Sequence, residues 1–321
     1  MKVLCKRCRS YGYLVYDYKR CLFYIVHPGK CRHAADPDEY EPILSDRLNL
    51  IKYAGGDTTI IKPLLKLMPD HICYVEVFGG GAVFLLNKPP SKVEVYNDVD
   101  GDLVNLFKVV KERPDEFLKE LDLLPYSRQL YYEFQYKLRG EEDPIKRAAM
   151  YYYIIRCCFS GKVGSGFSTG KGVNQARKYF NALEDIRKIH KRLKNVVIEQ
   201  LDFRDCILRY DGERTLFYLD PPHLYYATEK GKDYYKYGFT DRDYMDLLNL
   251  LTKIKGKFIL KQTYQQFVAE WARENKFNMK VITAPRWAKR DFGERKYMGV
   301  MLIYNFERKR RGRGFAREAH S

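Results

Sequence analysis

The chain has 321 residues, 45% hydrophobic and 31% charged, a globular composition that excludes global disorder. No window approaches the ~18 uninterrupted apolar residues of a membrane span, and Met1–Ser10 carries four basic residues with no apolar core after it, so neither a membrane span nor a secretory leader is expected and the cytoplasm is the predicted compartment. Lys and Arg number 58 against 41 Asp and Glu, a net charge of +17; the alternative is a merely solvated surface, but such an excess, where clustered, is the electrostatic footprint of a polyanion binder.

The clustering begins at the first residues. Met1–His33 holds eight basic residues and one acid. Cys5, Cys8, Cys21 and Cys31 crowd the same stretch with His27 and His33. In a reducing compartment paired thiols point to metal before disulfide. Cys5-Lys-Arg-Cys8 has the spacing that lets two thiolates reach one tetrahedral zinc ion. The second pair stays open: Cys21 with Cys31, or His27 with Cys31, with His33 in reserve. The strand-like run Leu22–Val26 fits a small zinc ribbon over residues 1–35, a segment too short to bury a core without the metal. The other four cysteines, Cys73, Cys157, Cys158 and Cys206, have apolar neighbours and read as small buried hydrophobes.

Asp36-Pro-Asp-Glu-Tyr-Glu-Pro42 is acidic and punctuated by proline, which marks residues 36–45 as a linker. Strands and helices then alternate. Ile72–Phe78 is a short apolar strand, Gly79-Gly-Gly81 a turn, and Ala82–Leu86 opens a helix. Val93–Tyr96 is a second strand, followed by helical spacing through Leu103, Leu106, Phe107 and Val110. Asp143–Phe159 and Asn181–Leu193 read as helices. Val196–Ile198, Thr215–Leu219, Lys257–Leu260 and Tyr297–Phe306 read as strands. The alternation predicts a doubly wound, mostly parallel α/β sheet, built from residues 46–125 and 195–306. Residues 126–194 break the rhythm. They are helical, rich in tyrosine and hold the Gly/Lys run Ser160–Gly172, and they read as an inserted helical subdomain. Residues 307–321 form a basic tail.

Ligands of open α/β sheets bind at the carboxyl ends of the strands. Two segments there carry chemistry. Glycines in Val75-Glu-Val-Phe-Gly-Gly-Gly81 allow close backbone approach to a ligand, and Asp98 ends the second strand 19 residues after Gly79. An acid at that distance suits a ribose diol, which NAD and S-adenosylmethionine both carry. The second segment, Leu219-Asp-Pro-Pro-His223, also follows a strand. Prolines have no N–H to pair, so the Asp220 carboxylate and the Pro221 carbonyl can accept both hydrogens of an exocyclic amine and turn its lone pair toward an electrophilic methyl. An ordinary Asp-Pro-Pro turn is the bland alternative. A dehydrogenase would account for the glycines and Asp98 but not for Asp220-Pro221-Pro222.

From about Leu50 to Phe306 the chain resembles the Dam-type, alpha-group DNA adenine-N6 methyltransferases. Lys52-Tyr53-Ala-Gly55-Gly56 resembles their motif at the methionine end of the cofactor. Glu76-Val-Phe78-Gly79-Gly-Gly81 resembles their cofactor loop, Asn97–Phe107 their second-strand motif with Asp98 on the ribose, and Asp202-Phe203 the pair that holds the cofactor adenine. Asp220-Pro221-Pro222 resembles the catalytic motif. The resemblance implies the S-adenosylmethionine methyltransferase fold, a target-recognition role for residues 126–194, and methylation of adenine in a flipped-out base of double-stranded DNA, with a restriction endonuclease as a candidate partner. Two positions depart from the pattern. His223 stands where the family has an aromatic, mostly tyrosine, that stacks on the flipped base; imidazole is flat but smaller and titratable. Asp57 stands where lysine is frequent. His223 keeps open a decayed methyltransferase that acts only as a DNA-binding protein. An RNA adenine or DNA cytosine-N4 enzyme is the other alternative, against which Asp220 argues weakly, since N4 enzymes commonly carry serine there.

Overall fold

The computed structural model describes residues 2–5, 11–17, 22–26, 40–42, 47–51, 60–159, 164–170, 172–222, 238–291 and 294–307, with only the strand backbone described in 2–42, 283–291 and 294–298. Among the described residues two sheets are present. The first has four antiparallel strands, β1 (Lys2–Cys5), β2 (Tyr11–Asp17), β3 (Leu22–Val26) and β4 (Tyr40–Pro42), in the order β3-β2-β1-β4. The run Leu22–Val26 is thus a strand, and Tyr40–Pro42, within the stretch expected to be a linker, pairs with β1.

The second sheet has seven strands. In chain order its elements are α1 (Ile61–Leu67), β5 (Cys73–Glu76), α2 (Val83–Asn87), β6 (Val93–Asn97), α3 (Gly101–Glu112), α4 (Pro114–Asp122), α5 (Arg128–Lys137), α6 (Pro144–Cys157), α7 (Gln175–Leu183), α8 (Ile186–Leu193), β7 (Val196–Glu199), α9 (Phe203–Tyr210), β8 (Thr215–Leu219), α10 (Asp241–Leu251), β9 (Lys257–Thr263), α11 (Gln266–Glu274), β10 (Asn278–Asp291) and β11 (Glu294–Tyr304). The order is β10-β11-β9-β8-β5-β6-β7. The five strands from β9 to β7 are parallel, and β11 runs antiparallel to both its neighbours. The chain starts in mid-sheet at β5, winds outward through β6 to β7, then returns to β8 and builds the other half. The doubly wound expectation therefore holds.

Alternation along the strands divides the apolar residues between two faces. Tyr74, Tyr96, Tyr218 and Ile259 point into a core shared with α1 to α8. Val75, Val95, Phe217 and Leu260 point into a second core with α9, α10 and α11. Each fully buried Leu or Phe adds about 1.5–3 kcal/mol, so both faces must be covered. Local signals start the helices. Asp100 caps α3 by accepting from the Asp102 N–H at 3.0 Å, and Leu103, Leu106, Phe107 and Val110 line its buried face at the 3.6-residue period. Asp143 caps α6 ahead of Pro144 at the first turn. Thr240 and Asp243 close a reciprocal capping box on α10.

Two sequence expectations change. The helix expected over Asn181–Leu193 is two helices that part between Leu183 and Ile186; Tyr179 with Leu183, and Ile186 with Ile189, are buried on either side of the break. The long edge strand β10 carries no clear strand signal because Pro285 interrupts it, and its register shifts between Pro285 and Arg290. Proline lacks a ladder N–H and is tolerated at such an edge. The helices of 126–194 do not form a core of their own: Tyr131, Tyr152, Tyr153 and Tyr179 join the same apolar cluster as Leu103, Phe107 and Phe117. Tyr151–Tyr153 are core residues, and so are Cys157, Cys158 and Cys206, whereas Cys73 is only half-buried. Among the described residues no helix is long and apolar enough to cross a membrane.

Candidate active site

The carboxyl ends of β5, β6, β7 and β8 converge, and hydrogen bonds explain why. Asn97 is the clamp. Its side-chain amide donates to the Val77 carbonyl at 2.9 Å and the Leu201 carbonyl at 3.1 Å, while its oxygen accepts from the Leu201 N–H at 2.9 Å. One side chain thereby ties the loops after β5 and β7 to the end of β6. The Val77 N–H donates to the Tyr218 carbonyl at 3.1 Å, which seats the glycine loop beside the strand that ends in Asp220.

The loop itself demands glycine. A Cβ on Gly79 would run into the Tyr96 ring, whose hydroxyl donates to the Gly80 carbonyl at 2.9 Å. Gly80 has φ +47, in the left-handed region that side chains disfavour. The Gly80 N–H donates to Asp98 Oδ2 at 2.8 Å, and the Asp100 N–H to Asp98 Oδ1 at 2.9 Å. A carboxylate has about four acceptor sites, so capacity for a diol remains. Burial pushes the Asp98 carboxyl up to about 6 against the two N–H groups that stabilise its anion. Phe78 and Phe203 lie with ring centroids 5.7 Å apart, and Phe239 meets each at 5.6 Å. Asp202 caps α9 by accepting from the Arg204 N–H at 2.9 Å. The Arg204 guanidinium lies 4.3 Å from the centre of the Phe203 ring and pairs with Asp243 at 2.6 Å and Asp246 at 2.7 Å, which locks this corner against α10.

Glu76 is fully buried. Its Oε2 accepts from the Tyr74 hydroxyl at 2.8 Å and from the Leu85 N–H at 3.0 Å, so it fastens α2 to the end of β5. Burial pushes its carboxyl up to about 8. Asp220 follows β8, half-buried, and its Oδ2 accepts from Lys261 Nζ at 2.7 Å. Pro221 is buried and Pro222 half-buried.

The structure thus brings together Glu76, Phe78, Gly79, Gly81, Asp98, Asp202, Phe203, Asp220, Pro221 and Pro222. Lys52, Tyr53, Gly55, Gly56 and His223 lie outside the described residues. So do Cys8, Cys21, His27, Cys31 and His33, and Cys5 is described only as the last residue of β1. Among the described residues no group of three His, Cys, Asp or Glu side chains could hold a metal ion. Sequence reasoning missed Asn97 as the clamp, Phe239 as a third ring and Lys261 as the partner of Asp220. A lysine at the end of an apolar strand was the one signal that pointed to Lys261.

S-adenosylmethionine fits these residues. Its adenosine needs an acceptor for the ribose diol beside a loop without side chains, and flat apolar walls for the purine; Asp98 beside Gly80, and Phe78 with Phe203, supply them. The strand order, with one antiparallel strand inserted next to the edge, and a glycine loop bonded to the acid that follows the second strand define a class I S-adenosylmethionine-dependent methyltransferase.

Comparison with known proteins narrows the class. The model of the D12 class N6 adenine-specific DNA methyltransferases matches residues 53–286, and the chain belongs to this family. It is an enzyme that methylates adenine N6 in DNA with S-adenosylmethionine. Relatives include the type II methyltransferase M.MjaIII of Methanocaldococcus jannaschii, 29% identical over 288 residues that cover 80% of this chain and 98% of that one. The DNA adenine methylase of Escherichia coli K12 is 24% identical over 265 residues, covering 78% and 93%. The type II methyltransferase M.CviBI of Paramecium bursaria Chlorella virus NC1A is 24% identical over 226 residues, covering 69% and 85%.

Proposed function

We propose that this methyltransferase acts on double-stranded DNA at a specific sequence, on an adenine turned out of the helix, with Asp220 and Pro221 as the groups that hold the reacting amine. The observation that carries this is the position of Asp220: it ends the strand that pairs in register with β5, Glu76 opposite Tyr218, and so stands beside the glycine loop. S-adenosylmethionine, when bound, supplies a methyl group on a sulfonium. The Asp220 carboxylate and the Pro221 carbonyl accept the two N6 hydrogens, which turns the nitrogen lone pair toward that methyl. Asp98 receives the ribose, Phe78 and Phe203 form one apolar wall for the purine, Glu76 and Gly79 to Gly81 shape the loop, and Lys52, Tyr53, Gly55 and Gly56 take the methionine end. His223 stacks on the extruded base. Most of the acceleration comes from positioning and from dipoles fixed in advance.

Residues 126–194 act as the target-recognition part. Arg177 and Lys178 are exposed on α7, and an open concavity of about 590 Å³ lined by Tyr126, Phe167, Thr169, Asn174 and Gln175 lies alongside, with Arg128 over the Phe167 ring at 5.3 Å. Polar side chains beside flat rings can meet base edges and faces. The basic ends add phosphate affinity, the enzyme works in the cytoplasm, and a restriction endonuclease is its candidate partner. Zinc on Cys5, Cys8, His27 and Cys31 rests on spacing; metal analysis of the purified protein decides it, and a stoichiometry near zero removes it.

Asp220→Ala tests the assignment. Methyl transfer to adenine in duplex DNA, read by methyl sequencing, is expected to vanish while DNA affinity stays within about threefold, since phosphate contacts carry most of it. Methylation that survives the substitution, or methyl groups found on cytosine or RNA, would refute it.

A further inference from the structure

Lys261 stands where a lysine is costly. It lies on β9 between Leu260 and Gln262 and is 4% exposed. An ammonium taken out of water loses its hydration, and only a well-placed anion offsets that loss. Its Nζ donates to Asp220 Oδ2 at 2.7 Å. The register explains the meeting. Leu219 sits opposite Leu260 in the parallel β8/β9 ladder, so the next residue of each strand falls on the same face at the same level. That face also carries Glu76, since Tyr74, Tyr218 and Ile259 all point into one core and strand residues two apart share a face. Three ionisable groups, Glu76, Asp220 and Lys261, therefore line one edge of three neighbouring strands.

We infer that Lys261 is a positioning residue for methyl transfer: it holds one oxygen of Asp220 and leaves the other fixed toward the amine. This rests on the role proposed above for Asp220. A lone aspartate at a strand end can turn its carboxylate about the side-chain torsions, and the buried Glu76 carboxyl behind it, pushed up to about 8 by burial, offers no cation to stop that turning. Lys261 removes the rotation. The captured oxygen is Oδ2, Oδ1 is given to one substrate hydrogen, and the Pro221 carbonyl takes the second. The ammonium acts through the carboxylate and touches no reacting atom. Gln262, the next residue, points to the other face and donates to the Tyr244 hydroxyl at 3.1 Å, so the pairing with Asp220 belongs to position 261 alone on this strand.

The test uses the full chain, with adenine-containing duplex DNA and S-adenosylmethionine both saturating, and reads the single-turnover rate of methyl transfer. Lys261→Met is expected to lower the rate on the order of 10²-fold, the cost of a carboxylate misplaced by about an ångström, while the dissociation constants for cofactor and DNA stay within about threefold. Lys261→Arg, which keeps charge and donor, is expected within tenfold of wild type. In an Asp220→Asn background, where no carboxylate remains to be held, Lys261→Met should cost no more than about twofold; a purely structural lysine would cost the same factor in both backgrounds. A folded Lys261→Met enzyme at the wild-type rate overturns the inference, as does equal loss in both backgrounds. If Lys261→Met does not fold, Lys261→Arg decides: a hundredfold loss in the folded protein overturns the inference. A wild-type protein that binds cofactor and DNA but methylates no adenine overturns the proposed function and this inference with it, whereas an active wild type with an unaffected Lys261→Met sinks only the latter.

Discussion

In the proposed function Asp98 holds the ribose of the cofactor, and its environment makes that hold depend on acidity. The carboxyl receives the Gly80 and Asp100 N–H groups yet is pushed up to about 6 by burial. Its folded value lies above the ordinary carboxylate range, so ionising it costs stability as pH rises through 6. Binding runs the other way: a ribose diol donates to the anion, and the anion is lost as pH falls through 6. Cofactor affinity measured by calorimetry should therefore weaken about tenfold between pH 7 and pH 5, since one pH unit below the midpoint leaves about a tenth of the groups ionised. Asp98→Asn should bind weakly at both pH values and flatten the curve. An unchanged wild-type affinity across this range would remove Asp98 from the ribose. Glycine at 79 is legible from the motif, but its reason is not: the Tyr96 ring occupies the space of a side chain there, and that contact crosses from one strand end to the next.

Elements meet the sheet through buried charge as well as apolar surface. Lys88, directly after α2, donates to Glu94 of β6 at 2.5 Å, and Arg192 of α8 reaches the same carboxylate at 2.6 Å and 2.9 Å. Arg192 also donates to the Leu85 carbonyl of α2 at 2.6 Å. Burial pushes the Lys88 ammonium down to about 8 even with Glu94 in contact, and although burial alone would raise the Glu94 carboxyl, Lys88 and Arg192 hold it below the usual range. The last helix of the insert is thus pinned to the helix that follows the cofactor loop. Glu94→Ala leaves two cations without their anion in a site closed to water, and breaking such a pair costs about 3–5 kcal/mol. Urea unfolding should show that loss; a change below about 1 kcal/mol would mean the cations find other partners. The helices of 126–194 were visible as helices because their caps and apolar spacing are local. Their union with α3 and α4 in one core was not, because it depends on residues some 30 to 80 positions apart, such as Phe117 against Tyr152, 5.5 Å between ring centres.

The whole molecule combines a covered sheet with a strongly basic chain. A net charge of +17 predicts DNA binding that falls steeply with salt, because each phosphate neutralised releases condensed counterions with a slope of about −0.9. Removing residues 308–321, which hold six basic residues and one acid, should make that slope shallower by roughly two to five and weaken binding at low salt, while the methyl-transfer rate at saturating DNA stays unchanged. Filter binding over a salt series measures the first and single-turnover kinetics the second; an unaltered slope would show that the tail makes no phosphate contact.

Composition and the alternation of strand and helix were sufficient to determine the sheet architecture, and the motifs at Glu76–Gly81, Asp98, Asp202-Phe203 and Asp220–Pro222, through the family they resemble, the methyl donor and the kind of base, because each depends on residues adjacent in the chain or on short spacings. Only the tertiary structure decided what stands around those motifs. Asn97 joins Val77 to Leu201, Phe239 closes on Phe78 and Phe203, and Lys261 reaches Asp220 from the neighbouring strand. These partners are tens to more than a hundred residues apart, and strand register brings them together. A sequence pattern records which side chains a strand carries, whereas the pairing of one strand with another fixes which of them face each other.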